Sequence, residues 1–284
     1  MKNKFYMVKC VTNLHMGSGD INFSIIDNEV QRDPVTGHPS MYSSGIKGAM
    51  REHFEANPET KGLVTSIFGS AIGETSGDKK KSSPGRVKFL SANLLLQPVR
   101  SALGALPYYL VTTKAILQAF VTELTTIRGE TEDDKKLAAA IQGLDEQKAY
   151  SMNTNGAIHI EGGKYPTRVA VPADIATALQ TYHAVSADDL SKLLILPDAD
   201  FRSEKIHLPV LARNQLDNGE SKNLWYEEVV PHDAVFYFAV LSDGTEPGDK
   251  ALEDFAGVAE KDRRLFQFGG NATIGYGLTQ LTAF

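Results

Sequence analysis

The chain ends on the same kind of unit with which it begins, and that recurrence limits its fold more than any other feature. Residues 5–12 (FYMVKCVT) alternate as a strand. Ser43-Ser44-Gly45 then opens a stretch in which Ile46, Ala49, Met50 and Phe54 recur at helical spacing, which predicts a serine-capped helix. Residues 86–99 follow as a strongly apolar strand. Near the other end, residues 235–241 read as a strand, 249–264 as a helix, and 266–284 as a Gly-rich loop and a last strand. Strand, helix, strand, occurring twice, fits a duplicated βαβ-type unit and predicts an α+β fold with an antiparallel sheet. The residues between the two units are too many for loops, so an inserted subdomain is expected at about 104–200. Helices are predicted there over 112–128, 133–144 and 187–196, with a hairpin over 157–171 turning at Gly162-Gly163. Residues 23–26 form a short apolar run, and 74–86 (ETSGDKKKSSPGR) read as a surface loop. A longer hairpin over 206–230, turning at Asp217-Asn218-Gly219, is long enough to leave the domain surface.

Charge narrows the function. The 284 residues carry 29 Lys+Arg against 35 Asp+Glu, a net charge of -6. A generic nucleic-acid binder needs concentrated positive charge for counterion release, so any RNA function must come from local basic patches, backbone amides and stacking. No apolar run is long enough to cross a bilayer, and the N-terminus has no signal-peptide stretch. The single cysteine, Cys10, excludes an internal disulfide and a Cys-clustered zinc site. A cytoplasmic protein is expected.

Three constellations could carry chemistry. Residues 14–51 hold His15, Asp20, Asp27, Glu29, Arg32, Asp33, Lys47 and Arg51. They read either as turn chemistry beside a solvated helix face, or as an anion cradle with a carboxylate. In the second reading the amides at the helix start after Ser44 suit phosphate, and Lys47 and Arg51 share one face. The second constellation is GGNATIGYG, where four glycines in nine residues either make a tight turn or bring amides close to a ligand. It lacks the Lys-Ser/Thr of a Walker loop and the βα context of a dinucleotide fingerprint. The third is the long hairpin, with Arg213 and the only tryptophan, Trp225, beside Tyr226. Those rings either anchor the hairpin or stack on bases. No H-E-x-x-H and no G-x-S-x-G occurs, so neither a zincin nor a Ser-His-Asp hydrolase is supported.

In order along the chain come LHMGSG (14–19), IIDNEVQRDPVTGHP (25–39), SSGIKGAMR (43–51), GRVKFLSANLLLQPVRS (85–101), LWYEE (224–228) and GGNATIGYGLTQL (269–281). This ordered set resembles the RAMP superfamily, and within it the backbone subunits of type III-B CRISPR (Cmr) effector complexes. The resemblance implies one RAMP domain over 1–284: a ferredoxin-like, RRM-related palm with an inserted helical subdomain and a thumb hairpin at about 211–230. Copies of such a subunit stack head to tail along a guide RNA, the crRNA, together with other subunits of the complex, and each copy contributes one cut to the base-paired target RNA. No membrane is involved.

Residue by residue, the resemblance places the cutting acid at Asp27, which is expected either to bind a divalent cation, Mg or Mn, or to accept the 2′-OH proton. It aligns the guide-phosphate lysine on Lys47. It extends the RNA-binding set to His15, Gln31, Arg32, Ser43, Ser44, Arg51, Gly269, Gly270, Asn271, Gly275 and Gly277. The thumb set is Arg213, Leu216, Leu224, Trp225 and Tyr226, and the nucleotide displaced by the thumb is expected near Asp27 of an adjacent copy. The implied chemistry is attack of the target's own 2′-OH on the adjacent phosphate. The alternatives are a non-catalytic guide-RNA scaffold and a guide-RNA-processing RAMP ribonuclease.

Overall fold

The computed structural model describes residues 1–19, 25–70, 83–161, 163–202, 207–261 and 265–284. Its first elements are β1 (Asn3–Cys10), β2 (Ser40–Met41), α1 (Ser43–Ala56), α2 (Val64–Phe68), β3 (Val87–Phe89) and β4 (Ala92–Leu103). Next come β5 (Tyr108–Thr113), α3 (Lys114–Arg128), α4 (Glu132–Gln142), β6 (Tyr150–Ser151), β7 (Ile158–Ile160), β8 (Gly163–Tyr165), β9 (Val169–Ala170) and α5 (Ala173–Thr181). The chain closes with β10 (Leu193–Leu196), α6 (Asp198–Arg202), β11 (Val210–Asp217), β12 (Glu220–Glu228), β13 (Val235–Ser242), α7 (Glu246–Ala259), β14 (Leu265–Gln267) and β15 (Leu278–Ala283).

These elements gather into two compact units made of interleaved segments. One contains residues 1–18, 31–93 and 237–284, the other 19–30 and 94–236. The first unit holds both copies of the recurring pattern, β1–α1–β3 and β13–α7–β15. Its strands run in the order β14-β15-β1-β13, with β3 antiparallel on β13. Strand β15 is antiparallel to both β1 and β14. Helix period puts Ile46, Met50 and Phe54 of α1 on one buried stripe. The Phe54 ring stacks on Phe255 of α7 at 5.9 Å and meets Phe68 edge-on at 5.3 Å. Phe89 and Tyr6 close on the same Phe255 ring. These aromatic contacts weld the two halves of the pattern together.

The second unit orders its strands β4-β5-β10-β6-β9. Helices α3, α4 and α5 bury Leu117, Phe120, Leu124, Leu137, Ile141, Ile175 and Leu179. The α4 start is fixed by a capping box, in which the Thr131 hydroxyl accepts from the Asp134 N–H and Asp134 accepts from the Thr131 N–H. From this unit β11 and β12 stand apart as a separate two-stranded sheet.

Several elements differ from the sequence expectation. The α1 N-cap is Tyr42 and its side chain caps nothing, so Ser43 and Ser44 lie inside the helix, where the Ser43 N–H donates to the Ser91 hydroxyl. The strand at 86–99 is two strands, β3 and β4. The helix expected at 112–128 starts two residues later, because Thr112 and Thr113 complete β5 and the Thr113 hydroxyl caps α3. The helix expected at 187–196 is instead a single 3₁₀ turn and the buried strand β10, parallel to β5; α5 falls earlier. Four apolar residues carry no period, and pairing on both sides of Leu193–Leu196, parallel with β5 and antiparallel with β6, decides their state. The expected hairpin at 157–171 ends at Tyr165, and Gly162 lies outside the described residues. The helix expected at 249–264 is α7, begun earlier by the Thr245 cap. Residues 262–264, most of the loop expected at 74–86, and residues 23, 24 and 206 also lie outside the described residues.

Candidate functional site

Asp27 sits on an edge that local sequence did not reveal. Residues 27–30 lie alongside β12, where Asn28 and Glu227 form an isolated parallel bridge. The Asp27 and Asn28 N–H groups both donate to the Tyr226 carbonyl, at 3.1 and 3.2 Å. In return the Tyr226 N–H donates to Asp27 Oδ2 at 2.8 Å. Further along, the Glu228 N–H donates to the Asn28 carbonyl at 2.9 Å, and the Val30 N–H donates to Glu228 Oε2 at 3.1 Å. One carboxylate oxygen of Asp27 is therefore occupied by the hairpin backbone. The side chain is exposed, which leaves Oδ1 for a substrate or a cation.

The hairpin itself pairs from Val210↔Glu228 to Asp217↔Glu220. Asn218 and Gly219 close it with φ of 50° and 85°, the left-handed pair that a two-residue hairpin turn demands. On one face Leu224 stands opposite Asn214 and Tyr226 opposite Ala212. Leu216, Leu224 and Tyr226 are exposed there, at 63%, 54% and 38%. On the other face Trp225 is half-buried, and the Arg213 Nε donates to buried Glu227 at 3.0 Å. At about 3.3 Å per residue the hairpin tip stands roughly 20 Å beyond Tyr226. The acid is thus at the base of the hairpin, bonded to the hairpin of its own chain, rather than only facing that of an adjacent copy.

The remaining sequence candidates fall in the other unit and separate into two groups. Gln31 is a bracket: its N–H donates to the Met16 carbonyl, its Nε2 to the Gly17 carbonyl, and its Oε1 accepts from the Tyr42 N–H ahead of α1. Arg32 donates to the Gly37 carbonyl, and Asp33 caps the same turn. Burial alone pushes the Asp33 carboxyl up, but donors from Thr36 and Val35 overcome it and hold its pKa below the ordinary value. His15 is buried, and its carbonyl accepts from the Gly270 N–H.

Several amides of the Gly-rich loop are bonded within the protein. The Gly277 N–H reaches the Asn13 carbonyl and the Gly275 N–H the Ala272 carbonyl. A Cβ on Gly269 would collide with the His15 carbonyl and one on Gly277 with the Phe268 carbonyl, both at positive φ. Gly269 and Gly277 serve the turn, and Asn271 through Ile274 form the loop's exposed face.

Lys47 and Arg51 share a face of α1, as their spacing requires. That face lies about 100–160° around the helix from Gly45, Ala49 and Glu52, which line a cleft of about 580 Å³ beside Gly269. The basic pair and the Gly-rich loop therefore do not converge. Arg51 is committed as well, to Glu55 at 2.7 Å and the Gly69 carbonyl at 2.9 Å. Lys47 is half-buried and forms no ion pair among the described residues. Glu227 and Glu228, the buried acids of LWYEE, were missed as site residues. Their signal was two acids ending an alternating strand.

The same description that matched in sequence order holds for the chain as a whole: residues 7–280 match the RAMP superfamily, and the protein belongs to that family. It is 25% identical over 288 residues to the CRISPR system Cmr endoribonuclease Cmr4 of Pyrococcus furiosus, covering 96% of this chain and 92% of that one. Its fold is similar to a subunit of the type III-B Cmr-beta complex bound to cognate target RNA, with a TM-score of 0.77 at 21% identity over 100% and 97% of the two chains. Oligomeric Cmr4 from Pyrococcus furiosus gives 0.73 at 20% identity over 100% and 98%. Among the described residues no helix is long and apolar enough to cross a membrane.

A divalent cation would find one open carboxylate oxygen at Asp27. Among the described residues no group of three or more His, Cys, Asp or Glu forms a cage. Among the described residues Asp27 is therefore a lone carboxylate and not part of a resident multi-carboxylate centre.

Proposed function

We propose that this chain is a crRNA-binding backbone subunit of a type III-B CRISPR effector complex, and that it cuts base-paired target RNA once per copy. One observation carries the reading: an exposed aspartate is held by its own carboxylate against the base of a protruding hairpin whose adjacent face is apolar. A scaffold would use that carboxylate only to accept the Tyr226 N–H, whereas a cutting subunit also uses its exposed oxygen. The relative named as an endoribonuclease supports the activity, and the fold shared with a target-bound Cmr subunit supports the setting.

In this reading the β1–α1–β3 and β13–α7–β15 halves form the ferredoxin-like palm and the β11–β12 hairpin the thumb. Laid across the guide–target duplex, the thumb interrupts pairing with Leu216 and Leu224 as wedges, and Tyr226 receives the displaced nucleotide by stacking. The displaced ribose turns its 2′-OH in line with the scissile phosphate. Asp27 Oδ1 accepts the 2′-OH proton as the oxygen attacks phosphorus; the P–O5′ bond breaks, leaving a 2′,3′-cyclic phosphate and a 5′-OH once that oxygen is protonated. In the alternative role Asp27 would hold a Mg or Mn ion, which would supply charge neutralisation at the phosphate. Lys47 holds guide phosphate from the other unit. Copies stack along the guide with the other Cmr subunits, in the cytoplasm.

The test is cleavage of end-labelled target by complexes reconstituted with Asp27→Ala. Normal guide binding and assembly without cutting is expected. Undiminished cutting by this variant removes Asp27 from the chemistry and returns it to an edge-pairing role.

A further inference from the structure

We infer that Glu228 is a positioning residue for target cutting: its buried carboxylate, through the Val30 N–H, sets where the Asp27 carboxylate stands. The inference rests on the reading of Asp27 as the cutting acid. Glu228 is only 5% exposed and Val30 3%, so the bond of 3.1 Å between Glu228 Oε2 and the Val30 N–H is shielded from water. Its backbone N–H also holds the Asn28 carbonyl. One residue thus grips the acid-bearing segment at two points, one and three residues beyond Asp27.

Hairpin register does not need this carboxylate. The β11–β12 ladder and the Asn218-Gly219 turn fix it without side-chain help. The adjacent acid answers a different demand: Glu227 points to the opposite face, where it meets Arg213. A carboxylate is costly to bury where an apolar side chain would fill the space, and the Val30 amide is one of the groups that hold this one. The choice makes sense if the position of the segment matters more than its packing. Without Glu228 Oε2, the buried Val30 N–H has lost its acceptor, and the segment must shift to satisfy it. Displacing a reacting group by about 1 Å can cost about 100-fold in rate.

The experiment uses complexes reconstituted with guide RNA and Glu228→Leu, Glu228→Gln, Glu228→Asp or Asp27→Ala. Each is assayed for single-turnover cutting at saturating target, for target affinity, and for amide exchange over residues 25–30. Glu228→Leu is expected to cut about 30- to 100-fold more slowly with target affinity unchanged within about twofold, and with faster exchange at Val30. Glu228→Gln keeps an acceptor oxygen at the same reach and is expected within about fivefold of the parent rate. Glu228→Asp keeps the charge but falls short of Val30, so it is expected to cut about tenfold more slowly; it decides the matter if the leucine variant does not assemble. Parent-rate cutting by Glu228→Leu or Glu228→Asp, or a glutamine variant as slow as leucine, overturns the positioning role while a dead Asp27→Ala leaves the aspartate reading standing. Full cutting by Asp27→Ala overturns both.

Discussion

Replacing Asp27 by asparagine separates what the side chain holds from what it does. The carboxylate accepts the Tyr226 N–H at 2.8 Å, and the side chain is exposed. Asparagine is isosteric and can present its carbonyl oxygen to the same N–H. The exchange therefore trades a charged acceptor for a neutral one in a solvated place, a loss of about 1 kcal/mol or less in how firmly the segment lies on β12. The chemical loss is larger. General-base assistance contributes about 10²–10⁴ in rate, or roughly 2.7–5.4 kcal/mol of barrier. The two terms differ enough to be read apart. Asp27→Asn should assemble on guide RNA as the parent does, show near-parent amide exchange at Tyr226, and cut labelled target at least about 100-fold more slowly under single-turnover conditions. Asp27→Ala should be as slow and should also expose the Tyr226 amide to exchange. If Asp27→Asn cuts at the parent rate, the carboxylate is only an edge-pairing group, and catalysis must come from elsewhere.

Four further outcomes follow from the geometry. Lys47→Ala should weaken guide binding about equally for all sequences and lower the salt slope by about 1, whereas Arg51→Ala should leave that slope alone and cost about 1 kcal/mol of thermal stability, because its guanidinium serves Glu55 and Gly69. Filter-binding salt titrations and melting curves distinguish them. Deleting residues 214–222 should blur the ladder of regularly spaced products while Asp27 keeps its place; an unchanged ladder would mean that the palm sets the spacing. Chelating divalent cations should stop cutting and leave guide binding intact, with Mg or Mn restoring it. Finally, burial pushes the Asp134 carboxyl up, but Thr131, Tyr182 and the Arg128 guanidinium together pull its pKa below the ordinary value. Its stabilisation of the α3–α5 helices is therefore full above the usual carboxylate range and is lost as pH falls through the lowered folded value. Asp134→Asn should flatten that acid limb in urea-midpoint measurements.

What sequence could reveal here follows the range of the interaction that decides each element. Helix α1 was legible because Ile46, Met50 and Phe54 write its period locally, and the β11–β12 turn because Asn218-Gly219 can close little else. Its N-cap was not, since Ser43-Ser44 offers the right side chains but Ser91, distant in sequence, takes the first amide. Leu193–Leu196 looked helical after two aspartates, and only its parallel partner β5 makes it a strand. The Gly-rich loop announced its freedom without saying what needed it, which is the carbonyls of His15 and Phe268 pressed against it. The candidate site lies at the far end of this scale. Asp27 meets Tyr226 across 199 residues of chain, and no periodicity encodes that meeting. The motifs around Asp27 and LWYEE could therefore each be noticed, but only the fold joins them, through the bonds that Tyr226 and Glu228 make to residues 27–30.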